Sequence, residues 1–345
     1  MSIKVSSGAK NDIWDFLLAK RQALWYNSFM ITTVPIKNEK DIAVPGKTVL
    51  VLGYFDGIHK GHQKLFEVAS KASMKDYLPV VVMTFTESPK LALQPYQPEL
   101  MLHIVNHEER EHKMKWHGVE ALFLLDFSSK FASLTGQEFF DTYVRALKPA
   151  IIVAGFDYTF GSDKKTADDL KDYFDGEIII VPPVEDEKGK ISSTRIRQAI
   201  LDGDVKEVNH LLGTPLPTRG MVVHGNARGR TIGYPTANLV LRDRTYMPAD
   251  GVYVVDVEVQ RQRYRGMASV GKNVTFDGEE PRFEVNIFDF SDDIYGETVM
   301  VYWLDRVRDM VKFDSIDELV DQLQKDEEIA RNWKDGESVI QGSHV

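Results

Sequence analysis

The chain has 345 residues, more than twice the roughly 150 residues of a typical domain, so we expect at least two domains. Its composition, with 43% hydrophobic and 27% charged residues, is that of a globular protein and excludes a fibrous repeat or a disordered chain. A net charge of −10 disfavours a nucleic-acid partner, because nonspecific binding to a phosphate backbone requires a basic surface.

The absence of cysteine excludes disulfides, metal-thiolate sites and thiol nucleophiles, and it is compatible with the reducing cytoplasm in which we expect the protein to act. The apolar runs, such as Lys47 to Phe55, fall far short of the roughly 20 residues that span a bilayer, so we expect no membrane segment. Anionic ligands would be held locally, by helix N-termini, a few basic side chains and a divalent cation.

Residues 1–29 have the period of an amphipathic helix, without the hydrophobic core or cleavage site of a signal peptide. We expect this segment to be an appendage, either vector-derived or the product of an upstream start, with a more ordinary start at Met30.

Between residues 30 and 212, short apolar strands alternate with segments of helical length. The predicted strands are 48–54, 79–85, 121–125, 150–154 and 177–181, and the predicted helices include 60–74 and 136–147. Near-continuous apolar strands between helices indicate a parallel sheet that is covered on both faces. This half is therefore predicted to be a doubly wound, Rossmann-like α/β domain.

The first predicted strand runs into a glycine-rich turn, GYFDGIHKGHQ, that leads into a helix. His59 and His62 lie three residues apart and share one face of the helix start. An imidazole pair beside a helix N-terminus suits a phosphate that gains charge in a transition state, although a metal pair or two solvated histidines would give the same spacing. The preceding strand and the FDG sequence favour the nucleotide site. The candidate phosphate-binding residues of the turn are Gly53, Phe55, Asp56, Gly57 and Gly61.

A second candidate site follows the last predicted parallel strand, where the chain reads ISSTRIR at the start of a helix. Ser192, Ser193 and Thr194 offer capping hydroxyls, and Arg195 and Arg197 offer cations for a polyphosphate. Such a sequence is also typical of an ordinary helix cap. Its position at the ligand-binding edge of a doubly wound sheet favours phosphate binding.

The loop GFDYTFG follows another predicted strand and carries the aromatic residues Phe156, Tyr158 and Phe160 beside Asp157. These rings would suit either a planar ligand or local core packing.

After Gly213 the apolar residues alternate in twos, which predicts antiparallel strands at 251–259, 266–270, 283–289 and 298–304. We predict a linker at 213–219, a small β-barrel domain at 220–330 and a tail at 331–345. A helix is predicted at 315–324, where Ser315 and Glu318 have the spacing of a capping box.

The barrel half contains HGNARGRTIGYPTAN, a stretch dense in glycine and arginine. The Thr236 hydroxyl and the Asn238 amide are hard oxygen ligands suited to Mg²⁺, which would arrive with the nucleotide because neutral ligands alone bind it weakly. Glu284 is the candidate general base for a hydroxyl acceptor, and the alternative for this carboxylate is a solvated face or an arginine partner. The candidate phosphate-binding residues are Gly225, Arg228, Gly229, Arg230 and Gly233.

These motifs, in this order and spacing, resemble the bacterial bifunctional riboflavin kinase/FAD synthetase family over roughly Met30 to Ala330. The resemblance implies a six-stranded barrel that converts riboflavin and ATP to FMN and ADP. It also implies an adenylyltransferase module that converts FMN and ATP to FAD and pyrophosphate, with Mg²⁺ serving both. By the same resemblance, His59 and His62 stabilise the ATP phosphates and residues 192–197 close on the triphosphate. The implied flavin contacts are Phe156, Asp157, Tyr158, Phe160, Arg308 and Phe313.

The chain departs from the family pattern at Glu87 and Ser88, in the 162–166 loop, at Val274 and at Asn286, where a histidine is frequent. These departures motivate one alternative, a single-activity enzyme with one degenerate half. A second alternative is a noncatalytic flavin or nucleotide sensor. A general cytidylyltransferase would explain the histidine pair but would leave the barrel without a purpose.

Overall fold

The computed structural model describes residues 3–4, 32–36, 41–42, 44, 46–225, 228–272 and 281–334. Most of the predicted 1–29 appendage, the departure at Val274 and residues 335–345 of the predicted tail lie outside the described residues. The chain divides into two compact units. The first extends to Leu102 and resumes at His107–Ile191, and the second contains His103–Asn106 and the chain from Ser192 onward.

The strands of the first unit are β1 Ile3–Lys4, β2 Thr32–Ile36, β3 Thr48–Leu52, β4 Val80–Phe85, β5 Ala121–Leu125, β6 Pro149–Gly155, β7 Thr159–Phe160, β8 Lys165–Thr166, β9 Glu177–Val181, β10 Glu185–Asp186 and β11 Gly189–Lys190. Seven of them form a parallel sheet in the order β1-β2-β5-β4-β3-β6-β9. Strands β7 and β8, and likewise β10 and β11, form short antiparallel pairs.

Helices cover both faces of this sheet, as the apolar strands predict. Leu50 and Leu52 of β3 pack into one core, and Val49 and Val51 pack into the other, because successive side chains of a strand point to opposite faces. The doubly wound α/β prediction is confirmed. The α-helices are α1 Lys60–Met74, α2 Lys90–Leu93, α3 His107–Trp116, α4 Ser129–Ala132 and α5 Gly136–Phe139. A π turn at Phe140–Val144 continues α5, and 3₁₀ turns lie at Pro98–Met101, Arg145–Leu147 and Ala167–Asp172.

Strand β2 and helix α3 are among the elements of this unit that were not predicted. Strand β2 is five residues long and contains Pro35, which weakens a strand pattern in sequence. Helix α3 reads HEEREHKMKW and buries only Arg110 and Met114, so it lacks the apolar period that reveals an amphipathic helix.

The elements of the second unit are α6 Ser193–Asp202, α7 Val205–Leu212, β12 Leu216–Val223, α8 Arg228–Thr231, β13 Ala237–Leu241, β14 Gly251–Val259, β15 Gln262–Lys272, β16 Pro281–Ile287, β17 Thr298–Arg308 and α9 Ile316–Asn332. Its strands form a closed antiparallel barrel in the order β12-β13-β16-β15-β14-β17, with β17 pairing back to β12. This arrangement and the C-terminal helix confirm the predicted barrel fold.

Aromatic side chains fill the barrel interior. Trp303 is fully buried, its ring contacts those of Tyr253 and Phe283, and its Nε1 donates a hydrogen bond to Thr218 Oγ1 at 2.8 Å. On the outer face, Val254, Met267 and Leu304 form a cluster with Ala330 of α9. Helix α9 therefore covers part of the outside of the barrel.

Two details of this unit differ from the sequence expectation, a boundary and a helix cap. The predicted linker at 213–219 overlaps β12, whose Pro217 lies where the strand pairs with β17 and before its pairing with β13 begins at Gly220. Proline is tolerated at such a position, where the strand is paired on one side only. At α9, Ser315 Oγ accepts the N–H of Glu318 as expected, but the Glu318 carboxylate accepts the N–H of Asp314 and thus does not complete the capping box.

Candidate active sites

The turn between β3 and α1 brings the two predicted histidines together. His59 caps α1, and its Nδ1 accepts the backbone N–H of His62 at 3.3 Å. The two rings stack with their centroids 3.7 Å apart. A Cβ at Gly61 would lie 3.0 Å from the His59 ring, so glycine allows this close packing. Both imidazoles consequently lie at a helix N-terminus, where backbone N–H groups favour an anion.

Burial keeps both imidazoles neutral. Desolvation lowers the pKa of His59 to about 4, although the nearby Asp56 carboxylate opposes this shift. Desolvation also holds the pKa of His62 well below its usual value, with additional repulsion from His59 and Arg110. His62 Nδ1 is buried without a hydrogen-bond partner among the described residues. A bound anion would stabilise the charged form of both rings and raise both pKa values.

We expect acid to destabilise the fold through His59. Its pKa is 6.5 in the unfolded chain and about 4 in the fold, so the unfolded state takes up the proton first as the pH falls through this interval. The resulting loss is roughly 2 kcal/mol of unfolding free energy between pH 6.5 and 4.5. His59→Asn keeps a good capping acceptor but cannot titrate, and should lose less stability over this interval. Denaturant unfolding of both proteins at both pH values measures the difference, and equal losses would contradict the prediction.

A buried arginine that the sequence analysis did not select holds the strand ends beside the histidine pair. Arg110 of α3 donates hydrogen bonds to the carbonyls of Tyr54 at 2.8 Å and Phe85 at 3.0 Å, and to Thr84 Oγ1 at 2.7 Å. One guanidinium thus joins the carboxyl ends of β3 and β4. Because α3 is charged along its length, the sequence does not distinguish Arg110 from its exposed neighbours.

A cavity of about 620 Å³ opens beside His62 at the carboxyl ends of the strands. Phe85 and Phe127 form part of its wall, with ring centroids 4.9 Å apart, and Phe131 continues the aromatic surface. Gly53 and Phe55 line the side nearest His62. A Cβ at Gly53 would lie 2.6 Å from the Phe55 ring. The cavity suits a planar ring that carries a phosphate.

The GFDYTFG loop lies along the same cavity and divides its aromatic residues between two environments. Phe160 is buried, and Tyr158 stacks against it with centroids 5.8 Å apart, whereas Phe156 is 42% exposed. The Asp157 carboxylate accepts a hydrogen bond from Lys190 at 2.5 Å, and Lys190 Nζ lies 4.5 Å from the centroid of the Phe156 ring. Lys190, which the sequence analysis did not select, is therefore a cation at this loop.

The predicted residues 192–197 begin helix α6 of the second unit. Ser192 caps this helix, and its Oγ accepts the N–H of Arg195 at 3.3 Å. Glu207 Oε1 accepts from Arg195 Nε at 2.8 Å, so this guanidinium has a carboxylate partner within the unit. Ser193, Thr194 and Arg197 follow in the same helix. A phosphate-binding role for the segment stays a prediction.

In the barrel, strand pairing places motifs from distant parts of the sequence in one row. Residues paired in register point to the same face of a sheet. Phe283 packs against Trp303 in the interior, so its neighbour Glu284 and the rest of the row point outward. This catalytic row, as we call it, runs through Asn238, Glu284, Ser269, Val252 and Arg308 on β13, β16, β15, β14 and β17.

Glu284 lies between a hydroxyl and a guanidinium. Its Oε2 is 3.4 Å from Thr236 Oγ1, and its Oε1 is 3.3 Å from Arg282 Nη1. The Glu284 side chain is 24% exposed. The arginine partner considered as an alternative is thus present, and the carboxylate still lies beside the predicted metal ligands.

The glycine-rich segment lies close to these ligands. A Cβ at Gly225 would lie 2.2 Å from Asn238 Nδ2, and one at Gly229 would lie 2.1 Å from the Tyr234 carbonyl oxygen. Gly233 has a φ of +84°, which glycine adopts without strain. Arg230 Nη2 is 3.4 Å from the Tyr295 hydroxyl. The side chain of Arg228 lies outside the described residues.

At the other end of the catalytic row, Arg308 is held by a carboxylate. Asp326 of α9 is fully buried and accepts hydrogen bonds from Arg308 Nε at 3.0 Å and Nη2 at 2.8 Å. The guanidinium carbon lies 5.7 Å from the centroid of the Phe313 ring. The predicted flavin contacts Arg308 and Phe313 therefore lie together beside α9, and Asp326 was not selected from the sequence.

Comparison with known proteins defines the class of each unit. The FAD synthetase family model matches residues 41–195, and the riboflavin kinase family model matches residues 212–334. The chain therefore combines a flavin nucleotidyltransferase unit with a flavin kinase unit. Proteins of Listeria monocytogenes and Bacillus subtilis are both named bifunctional riboflavin kinase/FMN adenylyltransferase, and each is 39% identical to this chain. The matched region is 82% of this chain and 91% and 92%, respectively, of the two relatives. This chain belongs to the bifunctional riboflavin kinase/FMN adenylyltransferase family.

A solved structure from Streptococcus pneumoniae has the same fold. It is 79% identical to this chain, with a TM-score of 0.85, and the matched region is 88% of this chain and 99% of the solved chain. It is described as a macrolide-efflux protein. That description differs from the two family models and the curated relatives, on which the family assignment rests. No helix in the described part of the chain has the length and hydropathy needed to cross a bilayer.

Proposed function

We propose that the barrel unit phosphorylates riboflavin to FMN with ATP, and that the Rossmann-like unit transfers AMP from a second ATP to FMN, giving FAD and pyrophosphate. The observation that carries this proposal is that each unit gathers the groups that one of these reactions needs. Glu284 lies beside Thr236 in the barrel, and the stacked His59–His62 pair lies beside the cavity of the other unit. The proposal includes a cytoplasmic location, because both reactions consume ATP.

In the kinase reaction, the acceptor is a riboflavin hydroxyl, which must lose its proton as the new O–P bond forms. The Glu284 carboxylate takes this proton while the terminal phosphoryl group of ATP is transferred to the hydroxyl oxygen and ADP is released. The side-chain oxygens of Thr236 and Asn238 are the kind of donor that Mg²⁺ prefers, so they fit this ion, and the Glu284 carboxylate lies beside them. When bound with the nucleotide, Mg²⁺ would neutralise phosphate charge. Arg282 supplies a further positive charge to the same face.

In the adenylyl transfer, the FMN phosphate is already an anion at neutral pH and needs no base. Its oxygen attacks the α-phosphorus of ATP, and pyrophosphate leaves. The reaction therefore depends on positioning and on the stabilisation of charge. The imidazoles of His59 and His62 donate hydrogen bonds to phosphate oxygens, and Lys190 adds a nearby cation. The aromatic wall of Phe85, Phe127 and Phe131 holds the flavin ring.

The test is incubation of the full chain with riboflavin, ATP and Mg²⁺, followed by chromatography of the flavins. We expect FMN to appear first and FAD to follow, with ADP and pyrophosphate as the other products. Accumulation of FMN alone, or FAD formation only from supplied FMN, would identify a single-activity enzyme. Flavin binding without ATP consumption would support the sensor alternative instead.

A further inference from the structure

A buried amide on β16 has no role in the chemistry described above. Asn286 follows Glu284 by two residues, so both side chains lie on the same face of the strand. Asn286 is only 8% exposed, and its Nδ2 donates a hydrogen bond to the Pro235 carbonyl oxygen at 2.6 Å. This contact joins two segments that are 51 residues apart in sequence.

The contact lies just beyond the end of the pairing between β13 and β16. Strands β13 and β16 pair through Ala237–Val285 and Asn238–Glu284, and the same antiparallel register would bring Thr236 opposite Asn286. Pro235 has no N–H and cannot contribute a donor to a ladder. Its carbonyl can still accept a hydrogen bond from a donor outside the ladder, and the Asn286 amide, which is buried where Pro235 is exposed, is unfavourable if left unpaired. The Asn286 side chain supplies that donor in place of a backbone group.

The segment anchored in this way carries a predicted metal ligand. Pro235 immediately precedes Thr236, whose Oγ1 lies 3.4 Å from Glu284 Oε2. On the other side, the backbone N–H of Tyr234 donates to the Gly229 carbonyl at 2.8 Å, and the Tyr234 side chain packs against the cluster beneath α9. The peptide before Thr236 is therefore held at two points, and the Asn286 contact is the nearer of the two to the hydroxyl.

We propose that Asn286 is a positioning residue of the kinase site. Its amide fixes the Pro235 carbonyl, which keeps the Thr236 hydroxyl beside Glu284, where it can share the coordination of Mg²⁺ bound with the nucleotide. Asn286 acts through Thr236 and does not itself touch the substrates. The proposal rests on the proposed riboflavin kinase function. The histidine frequent at this position in the resembling family carries a ring N–H that can make the same bond.

The test compares two substitutions with opposite expectations. Asn286→Asp keeps the size of the side chain but replaces the N–H donor with an anion facing a carbonyl oxygen, whereas Asn286→His keeps a donor. We expect the aspartate variant to need roughly 10- to 100-fold more Mg²⁺ for half-maximal FMN formation, with little change in the KM for riboflavin, and the histidine variant to stay near wild type. FAD formation from supplied FMN, measured on the same samples, should not change.

A second measurement does not depend on activity. In nucleotide-free protein, hydrogen exchange of the Thr236 and Ala237 amides should be faster in Asn286→Asp than in wild type. In Asn286→His it should be close to the wild-type rate. Unchanged exchange and an unchanged Mg²⁺ requirement in the aspartate variant would overturn the proposal. Equal loss of melting temperature and activity in both variants would also overturn it, because this is the result of a general packing role. A wild-type chain that forms no FMN would contradict the proposed function, and amide exchange would still decide whether Asn286 anchors Thr236.

Discussion

Glu284→Gln should stop FMN formation from riboflavin while FAD formation from supplied FMN continues. Glutamine keeps the shape of the side chain and its place in the catalytic row but cannot accept the proton of the riboflavin hydroxyl. Loss of a general base lowers the rate by roughly 10²- to 10⁴-fold. Initial rates of the two reactions, measured separately with riboflavin or FMN as substrate, give the result directly.

The barrel offers a matched control for this substitution. Glu258 is also a strand carboxylate, and it lies 3.5 Å from an arginine, Arg263, at the far end of β14 from the row position Val252. Glu258→Gln removes the same charge and should keep FMN formation close to the wild-type rate. Wild-type FMN formation by Glu284→Gln would exclude this carboxylate as the base. Loss of both activities would argue against separate sites.

His62→Ala should make FMN accumulate at the expense of FAD. The substitution removes a ring that stacks on His59 and borders the cavity. With the ring goes the donor that we propose for the phosphate oxygens that gain charge during adenylyl transfer. Loss of one such donor lowers the rate by roughly 10²- to 10³-fold. The ratio of FMN to FAD over time, starting from riboflavin and ATP, measures the effect.

His112→Ala is the control for the adenylyltransferase unit, because His112 is an exposed histidine on α3 of the same unit. It should produce FAD at the wild-type rate. In His62→Ala, the rate of riboflavin consumption should also match wild type, since the kinase site is in the other unit. Undiminished FAD production by His62→Ala would contradict the role given to this imidazole.

The sequence predicts elements well where local pattern and tertiary burial agree. Helix Lys60–Met74 and strands Ala121–Leu125, Glu177–Val181 and Gly251–Val259 have the predicted bounds, because each is an uninterrupted periodic or apolar segment between breakers. Strand β2 contains a proline and helix α3 is almost wholly charged, so neither gives a clear local signal.

The candidate sites likewise divide into those with a local sequence pattern and those that depend on tertiary contacts. The histidine pair could be recognised because its residues are close in sequence and lie at one helix start. The row that contains Asn238, Glu284 and Arg308 depends on strand register, and only the resemblance to a family connected these residues beforehand. Arg110 and Lys190 have the sequence character of solvated charges. Their contacts with backbone carbonyls and with Asp157 are tertiary and leave no local trace.

The filled interior of the barrel separates the support of the kinase site from its chemistry. Trp303, Tyr253 and Phe283 hold the strands from within, while Glu284 and its row project from the opposite side of the same strands. The groups that we propose meet the substrates can therefore be exchanged without opening a hole in the packed centre. This unit is accordingly a suitable scaffold for altering acceptor preference, since the outward side chains can be varied while the aromatic centre that stabilises the strands stays intact.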